Sequence, residues 1–410
     1  MEETFPRTVE ILAPAGDFTK LKTAIAYGAD AVYMGNGAFS LRSASENFEG
    51  ENMARGIDYA HKYNKKAYVT ANIIPKNDDL EDIARYAEQV YSYGADAIIV
   101  SDLGAFQACR EVAPKLPIHV STQANNNNYG TCNMWYFLGA QRIILSRELS
   151  FAEISKIREK TAPNLELETF VHGAMCVSYS GRCLLSNYML NRDANRGDCA
   201  QPCRWKYHLV EEKRPDMYIP VFENDRGTFI FNSRDLCLIS RIPEFISAGV
   251  DSLKIEGRVK SEYYLATVVK AYREELDRYM DNPQNYVFSP AQLEELDKVS
   301  HRHYSEGFSM GTEPGQIYET SSYIRNYEVV AAIVGYNNGI AELEQRNKFF
   351  SGDTVEILQP NKPFFVQENV DLCNERGEKL ESTPHSKMKI FMKVDEPVVP
   401  GGFVRKKKGK

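Results

Sequence analysis

The sequence predicts a (β/α)8 TIM-like barrel with an insertion, followed by a small antiparallel β-barrel domain. The first observation is a repeated corner, in which an amphipathic stretch ends at a glycine and a short apolar run follows. The corner occurs at Gly28 and Gly94, with weaker copies at Gly139 and Gly249. Glycine can adopt the left-handed conformation that ends a helix, and such apolar runs suit strands buried on both faces. The second observation is that polar residues follow several of these runs, and the third is a change to alternating strands near residue 329.

Eight candidate strands follow from the apolar runs, and helix-length segments such as 78–92 and 151–160 lie between most of them. The strands are expected at 9–13, 31–34, 66–71, 97–100, 117–120, 142–145, 165–171 and 252–256. Eight parallel strands that alternate with helices are typical of a closed barrel. A doubly wound open sheet is the alternative, because periodicity alone does not count strands reliably.

The chain divides into three predicted parts. Residues 1–280 form the barrel, and residues 176–226 form an insertion that is longer than an ordinary barrel connection. Residues 281–328 contain several prolines and are expected to form a linker with one helix. Residues 329–410 contain alternating strands separated by glycine-containing turns, which predicts a small β-barrel of a kind that often serves as a binding module.

Length, composition and charge exclude several classes of protein. At 410 residues the chain is too long for one ordinary domain, and its 43% hydrophobic and 26% charged content is ordinary for a globular protein. The net charge of −7 excludes binding of nucleic acid through overall positive charge. The basic end Arg405–Lys410 is a local exception, which is expected either to contact phosphates or to be a disordered terminus. No apolar run reaches bilayer length, and the acidic start does not resemble a signal peptide. We therefore expect a cytoplasmic protein with no membrane partner, and structural disulfides are uncommon in that compartment.

Four of the eight cysteines lie close together in the predicted insertion, with the spacing C-x6-C-x15-C-x3-C. They are Cys176, Cys183, Cys199 and Cys203. Four thiolates suit zinc or an iron–sulfur cluster. Structural zinc prefers pairs of ligands two to four residues apart, whereas a cluster accepts wider spacing. The spacing therefore favours iron–sulfur over zinc, and it leaves zinc and disulfides open. Four arginines surround the cysteines in sequence and either stabilise an anion or face solvent: Arg182, Arg192, Arg196 and Arg204.

Several blocks of the chain resemble the collagenase-like peptidase family U32. The matching blocks are Leu12–Asp17, Ser146–Ser150, Glu168–Cys176, Gly181–Ser186 and Lys254–Arg258. The resemblance covers nearly the whole chain, including the terminal β-domain. It implies a [4Fe-4S] cluster bound by the four cysteines, and no position of the quartet departs from the family pattern.

The resemblance also implies a function. Members of this length are tRNA hydroxylation proteins that make 5-hydroxyuridine at the wobble position, with prephenate as the implied hydroxyl source. Relatives hydroxylate a ribosomal RNA cytidine or act in ubiquinone synthesis, so another RNA or a small aromatic substrate is an alternative. The expected partners are tRNA, a small dicarboxylate and an electron donor or partner protein.

A hydroxylase of this kind needs a dicarboxylate pocket and room for an extruded base beside the cluster. Arginine suits carboxylates because its planar fork pairs with both oxygens. The candidate substrate-binding residues near the carboxyl ends of the strands are Arg42, Arg147, Arg258, His119 and Gln123. The candidate catalytic residues are His172, Glu148 and Glu256. Structural ion pairs are the alternative for the two glutamates, and a buried hydrogen-bonded ring is the alternative for His119.

A peptidase is the competing class of function. None of the seven histidines begins an H-E-x-x-H zinc motif. The stretch Gly307–Gly311 matches G-x-S-x-G, but a catalytic serine in that motif needs a strand before it and a helix after it. The proline-rich surroundings of Ser309 do not predict that context. A cysteine protease would require Cys176 as both nucleophile and cluster ligand. We therefore expect RNA modification rather than proteolysis.

Overall fold

Eight parallel strands close into a barrel in this computed structural model, which describes residues 8–41, 47–176, 178–205, 223–224, 227–228, 233–312 and 323–409. The strands are β1 (Glu10–Pro14), β2 (Ala31–Gly35), β3 (Lys66–Ala71), β4 (Ala97–Val100), β5 (Ile118–Val120), β6 (Arg142–Ile144), β7 (Glu166–Ala174) and β11 (Ser252–Ile255). Strands β1 to β7 pair in chain order, and β11 closes the ring by pairing with both β7 and β1. The predicted closed parallel barrel is confirmed, and the open-sheet alternative is wrong.

Helices follow most barrel strands and pack around them. They are α1 (Phe18–Ala26), α2 (Glu51–Lys62), α3 (Leu80–Ser92), α4 (Leu103–Val112), α5 (Tyr129–Phe137), α6 (Phe151–Glu159), α8 (Ile242–Ser247) and α9 (Glu262–Asp281). The corner glycines have positive φ as predicted, for example 108° at Gly28 and 80° at Gly94. Asp17 and Asp102 accept hydrogen bonds from backbone N–H groups at the starts of α1 and α4, which fixes where these helices begin. No helix in the described part of the chain is long and apolar enough to cross a bilayer.

The insertion begins where β7 continues beyond the barrel. Its described elements are α7 (Leu185–Leu190), the 3-10 turns Ala194–Arg196 and Pro202–Arg204, and the short hairpin β8 (Glu223–Asn224) and β9 (Gly227–Thr228). The chain returns as β10 (Asp235–Cys237), which pairs antiparallel with β7 and parallel with β12 (Tyr304–Ser305). No pattern in the sequence predicted β10 and β12, because short strands carry little periodicity.

The C-terminal part forms a seven-stranded antiparallel half-barrel. Before it lie the 3-10 turn Pro283–Asn285 and helix α10 (Pro290–Leu296), within the predicted linker. Its strands are β13 (Tyr327–Asn337), β14 (Ile340–Gln345), β15 (Val355–Leu358), β16 (Phe365–Gln367), β17 (Leu372–Cys373), β18 (Lys389–Lys393) and β19 (Phe403–Lys407). They pair in the order β16-β15-β19-β13-β14-β18-β17.

The basic end of the chain is an internal strand of this half-barrel rather than a free tail. Strand β19 pairs with both β13 and β15. Arg405 is fully buried and forms ion pairs with Glu295 and Glu356, so its guanidinium is not available to a phosphate. Phe403 packs within the barrel core, so the two domains share a hydrophobic interior. The alternative of a disordered terminus, given for residues 405–410, is wrong for residues 405–407, because they belong to β19 and pair with strands that are distant in sequence.

Candidate functional site

A cavity opens at the carboxyl ends of the barrel strands, where ligands of barrel proteins bind. It contains about 550 Å³ of empty space, part of it open to solvent. Four of the residues predicted for the site line it, namely Gln123, Arg147, Glu256 and Arg258. The remaining lining residues include Phe170 and polar side chains from the ends of β3 and β5: Thr70, Asn72, Ser121 and Thr122. The barrel therefore brings together residues that are up to 225 positions apart in the sequence (33 to 258).

Arg147 lies at one wall of the cavity, just after β6. Its guanidinium stacks on the ring of Phe170, with 4.2 Å between the guanidinium carbon and the ring centroid. Nη1 donates a hydrogen bond to the Ala174 carbonyl at 2.8 Å, whereas the buried Nε has no partner. An unpaired buried donor is costly unless a ligand satisfies it. The geometry therefore suits an anionic ligand beside Arg147.

Arg258 lines the cavity after β11 and is almost fully buried. Its Nη1 donates to the Ser40 hydroxyl and its Nη2 donates to the Asn47 side-chain oxygen. Two polar groups from the segment after β2 thus fix the plane of the guanidinium. Arg42, the other arginine predicted on this segment, lies outside the described residues.

Lys254 is a third cation of the cavity, and the sequence analysis did not select it. Its ammonium lies 2.6 Å from a Glu168 carboxylate oxygen and 4.6 Å from the Tyr33 ring centroid. Glu168 also contacts Arg142 at 3.0 Å, and Arg142 contacts Glu10 at 2.7 Å, which forms a buried charge network below the cavity. Burial lowers the pKa of Lys254, and the charge of Glu168 opposes that shift. A spacing of two residues separates Lys254, Glu256 and Arg258. This spacing could have indicated that their side chains lie on the same face of an extended segment.

The two predicted histidines do not line the cavity among its described residues. His119 is buried against the Tyr68 ring, at 4.8 Å between centroids, and burial together with Arg142 and Lys254 holds its pKa well below the usual value. His172 lies behind the barrel wall among Tyr264, Tyr272 and Tyr304. Burial, followed by the nearby His301 and Lys260, lowers the pKa of His172 to about 3, which keeps its ring neutral.

Glu148 also lies away from the described cavity lining. Burial raises the pKa of its carboxyl group, although backbone hydrogen bonds and Arg147 oppose the shift. Of the three predicted catalytic residues, Glu256 is thus the one whose side chain faces the cavity. The catalytic roles of His172 and Glu148 stay predictions that no cavity contact supports.

The cysteine quartet lies in the insertion beside this cavity. Cys176 and Cys199 are exposed, Cys183 and Cys203 are half-buried, and none forms a disulfide. Burial raises the pKa of Cys203, and Arg204 opposes that shift. The nearby Cys176, Cys199 and Cys183 raise the pKa further, so the four sulfurs lie close together. Within the described ranges, no three His, Cys, Asp or Glu side chains converge on a single ion.

Polar contacts fasten the insertion to the barrel mouth. The Asn195 carbonyl accepts a hydrogen bond from the Ile74 N–H at 3.0 Å, and Arg196 Nη2 donates to Asp79 at 2.8 Å. Asn195 also donates to the Cys183 carbonyl at 3.1 Å. Because residues 74 and 79 follow β3, the insertion is held over the same face as the cavity. Arg196 therefore has a structural partner and is not a free anion-binding group.

A further arginine near the cysteines comes from a distant part of the chain. Arg302 is almost fully buried, and its Nε and Nη1 atoms have no hydrogen-bond partner. Nη1 lies 3.7 Å from Asp235, which is an ion pair without a hydrogen bond. Burial and the nearby Arg204 lower the pKa of Arg302, whereas the proximity of Tyr323, Asp235 and Cys203 opposes the shift. Sequence spacing carried no signal for Arg302, because it is 99 residues beyond Cys203.

Ser309 does not have the surroundings of a catalytic serine. It lies in a turn after β12 with no helix following it directly, and its hydroxyl donates to the Glu306 carbonyl at 2.8 Å. A smaller cavity beside Ser309 has no histidine among its described lining residues. A serine needs an adjacent base to become a nucleophile.

Fold and site together define a (β/α)8-barrel protein with a cationic ligand cavity and a cysteine-bearing insertion at the barrel mouth. Residues 16–318 match the model of peptidase family U32, and residues 325–405 match the model of the peptidase family U32 C-terminal domain. The chain belongs to peptidase family U32.

Three relatives illustrate the range of the similarity. The chain is 39% identical to tRNA hydroxylation protein P1 of Bacillus subtilis, over 97% of this chain and 95% of the relative. It is 37% identical to tRNA hydroxylation protein P of Escherichia coli, over 94% of each. It is also 34% identical to the 23S rRNA 5-hydroxycytidine C2501 synthase of Escherichia coli, over 67% of this chain and 40% of that protein. The family resemblance seen in the sequence is confirmed.

Proposed function

We propose that the protein is an RNA-modifying hydroxylase that converts the wobble uridine of tRNA to 5-hydroxyuridine. Relatives that are named for tRNA hydroxylation and for ribosomal RNA hydroxycytidine synthesis support this choice. The observation that carries the proposal is the cavity at the barrel mouth, which Arg147, Lys254 and Arg258 line beside the cysteine-bearing insertion. A tRNA substrate implies that the protein works in the cytoplasm.

The cavity is the proposed site for a small dicarboxylate, with prephenate as the hydroxyl source. Lys254 already shares its charge with Glu168, so Arg147 and Arg258 supply the donors that two carboxylates would engage. Arginine pairs with a carboxylate through two parallel hydrogen bonds, which fixes orientation as well as binding. Glu256 is the acidic side chain among the described lining residues, and this makes it the candidate for moving a proton.

The quartet is the proposed ligand set of a [4Fe-4S] cluster. Its four soft donors are close together and free of disulfides, and two of them are exposed. A cluster with a cysteine on every iron supplies electron transfer rather than a vacant iron. An electron donor or partner protein is therefore the expected companion of this enzyme.

The test combines metal analysis with nucleoside analysis. Anaerobically purified protein should be brown and contain about four irons per chain, and Cys176→Ala or Cys199→Ala should lose the colour. Deletion of the gene should remove 5-hydroxyuridine derivatives from digested tRNA in tandem mass spectrometry, and a Cys183→Ala copy should fail to restore them. Stoichiometric zinc without iron would contradict the cluster. An unchanged nucleoside profile together with gelatin cleavage would instead support a peptidase.

A further inference from the structure

A further concave site lies near the proposed dicarboxylate cavity, at the start of the insertion. Its lining residues are Asn125, Asn127, Ser178, Tyr179 and Arg182, and it contains about 870 Å³ of empty space, part of it open solvent. The two asparagines follow the 3-10 turn Thr122–Ala124 after β5, and the other three residues belong to the start of the insertion. We refer to this site as the outer pocket.

The outer pocket is adjacent to both parts of the proposed active centre. A Cβ atom built on Gly181 would lie 2.8 Å from the backbone and side-chain oxygens of Gln123, which lines the dicarboxylate cavity. Arg182, the next residue, lines the outer pocket, and Cys183 of the quartet follows it. The contact between Gly181 and Gln123 therefore separates the outer pocket from the cavity. Arg182 in the outer pocket directly precedes Cys183, a proposed cluster ligand.

The lining groups of the outer pocket suit a nucleotide. Tyr179 is 49% exposed and offers a flat ring. The Asn127 side-chain oxygen is buried without a hydrogen-bond partner, so it is an acceptor that lacks a donor. Asn125 is held in place by its own hydrogen bond to the Ser180 carbonyl at 2.9 Å. Arg182 is exposed and can contact a phosphate in a chain whose net charge is −7. A ring for stacking, an amide and a guanidinium are the groups with which proteins bind unpaired RNA bases.

We propose that the outer pocket holds the extruded target base of the RNA while the dicarboxylate occupies the neighbouring cavity. Tyr179 stacks on the base, Asn127 accepts a hydrogen bond from an N–H group of the base edge, and Arg182 contacts the adjoining phosphate. A pyrimidine satisfies the unpaired acceptor, because uracil presents its ring N–H and cytosine its amino group. Loop bases are unpaired, so their extrusion costs less than it does in a duplex. This inference rests on the proposed function and adds the place where the substrate base binds.

The test uses the anaerobically purified full chain and a fluorescein-labelled anticodon stem–loop, with or without the base at the wobble position. The wild type should bind the complete loop more tightly than the abasic loop. Tyr179→Ala should weaken binding of the complete loop roughly 5- to 150-fold, which corresponds to the loss of one stacked base, and should remove the preference over the abasic loop. Tyr179→Phe keeps the ring and should bind as the wild type does. Tyr188→Ala is the matched control, because Tyr188 is an exposed tyrosine on α7 outside the pocket.

Two results separate this inference from the proposed function. Equal affinity of the wild type for the complete and abasic loops would overturn the outer pocket as a base site, while tRNA binding itself would stand. Failure of the wild type to bind either loop would overturn both. Iron content and prephenate binding by calorimetry should stay unchanged in Tyr179→Ala. A parallel loss of prephenate affinity would show that the outer pocket is part of the small-molecule site and would refute the proposal.

Discussion

Replacement of Arg405 by methionine tests whether the basic end of the chain stabilises the fold or binds RNA. Arg405 is fully buried, and its Nη1 and Nη2 atoms donate to the Glu295 carboxylate at 2.5 and 2.8 Å. Its Nε donates to Glu356 at 2.8 Å, and Nη1 also donates to the Tyr263 hydroxyl at 3.2 Å. Methionine keeps much of the side-chain volume, so the change removes the charge and the hydrogen bonds while it limits the cavity.

Removal of one partner of a buried ion pair destabilises a protein by about 3–5 kcal/mol, because an uncompensated charge is left behind. Here Lys298 remains 3.2 Å from Glu295 and 2.8 Å from Glu356, so the residual negative charge is partly neutralised. We therefore expect a loss near the lower end, about 3 kcal/mol. Lys406→Met is the matched control on the same strand. Lys406 contacts Asp353 at 2.9 Å at the surface, where a pair contributes about 0–1 kcal/mol.

The assay is urea unfolding at neutral and at acidic pH. Burial by itself raises the pKa of Glu295, but the hydrogen bonds and charge of Arg405 hold it below the ordinary value. A depressed carboxyl pKa stabilises the fold above the unfolded pKa, and that stability is lost as the pH falls through the folded pKa. The deficit of Arg405→Met should therefore shrink on acidification. Equal destabilisation by both variants, with equally weakened RNA binding at low salt, would refute the structural role and restore the phosphate-binding interpretation.

Three further predictions concern the cavity and the insertion. Arg147→Met should weaken prephenate binding about 10- to 150-fold in calorimetry if its charged hydrogen bond contributes about 1.5–3 kcal/mol, and unchanged affinity would exclude Arg147 from the proposed dicarboxylate site. Arg302→Met should make the reduction potential of the proposed cluster more negative in an EPR-monitored titration, because a nearby positive charge favours the added electron; an unchanged potential with full iron content would contradict this. Asp79→Asn should speed proteolysis within the insertion, because it removes the charge that pairs with Arg196. In the wild type, the hydrogen bond to Arg196 and the charge of that residue lower the pKa of Asp79 to about 2. Because the pKa of Asp79 is lowered, its contact with Arg196 in the wild type should persist at neutral pH and be lost only as the pH falls toward 2. Equal protease resistance of the variant at neutral pH would refute the role of Asp79.

The predicted site residues that line the cavity lie close to regular strands. Arg147 and Arg258 follow barrel strands directly, so the rule that carboxyl ends share one face placed them in the cavity. His172 also follows from that rule but is turned away, because β7 has an irregular register against β11 and its outer end packs on the tyrosines of α9. Lys254 was missed because a lysine inside a barrel becomes plausible only once a carboxylate such as Glu168 is known to face it.

The order of glycine corners and apolar runs predicted alternating helices and parallel strands, since helix ends and buried strands are determined by residues a few positions apart. The pairing of β11 with both β7 and β1 decided between a closed barrel and an open sheet. The four cysteines could be proposed as one ligand set for the same reason, because 28 residues of chain contain them all. Only the tertiary structure decided which charges meet. It set Arg302 beside Cys203, Lys254 in the cavity wall and Arg405 between the half-barrel and helices α9 and α10. Burial there turns each charge from a solvated surface group into one that requires a partner. Those pairings join residues that are distant in sequence, and no local pattern of amino acids encodes which distant partner a buried charge will find.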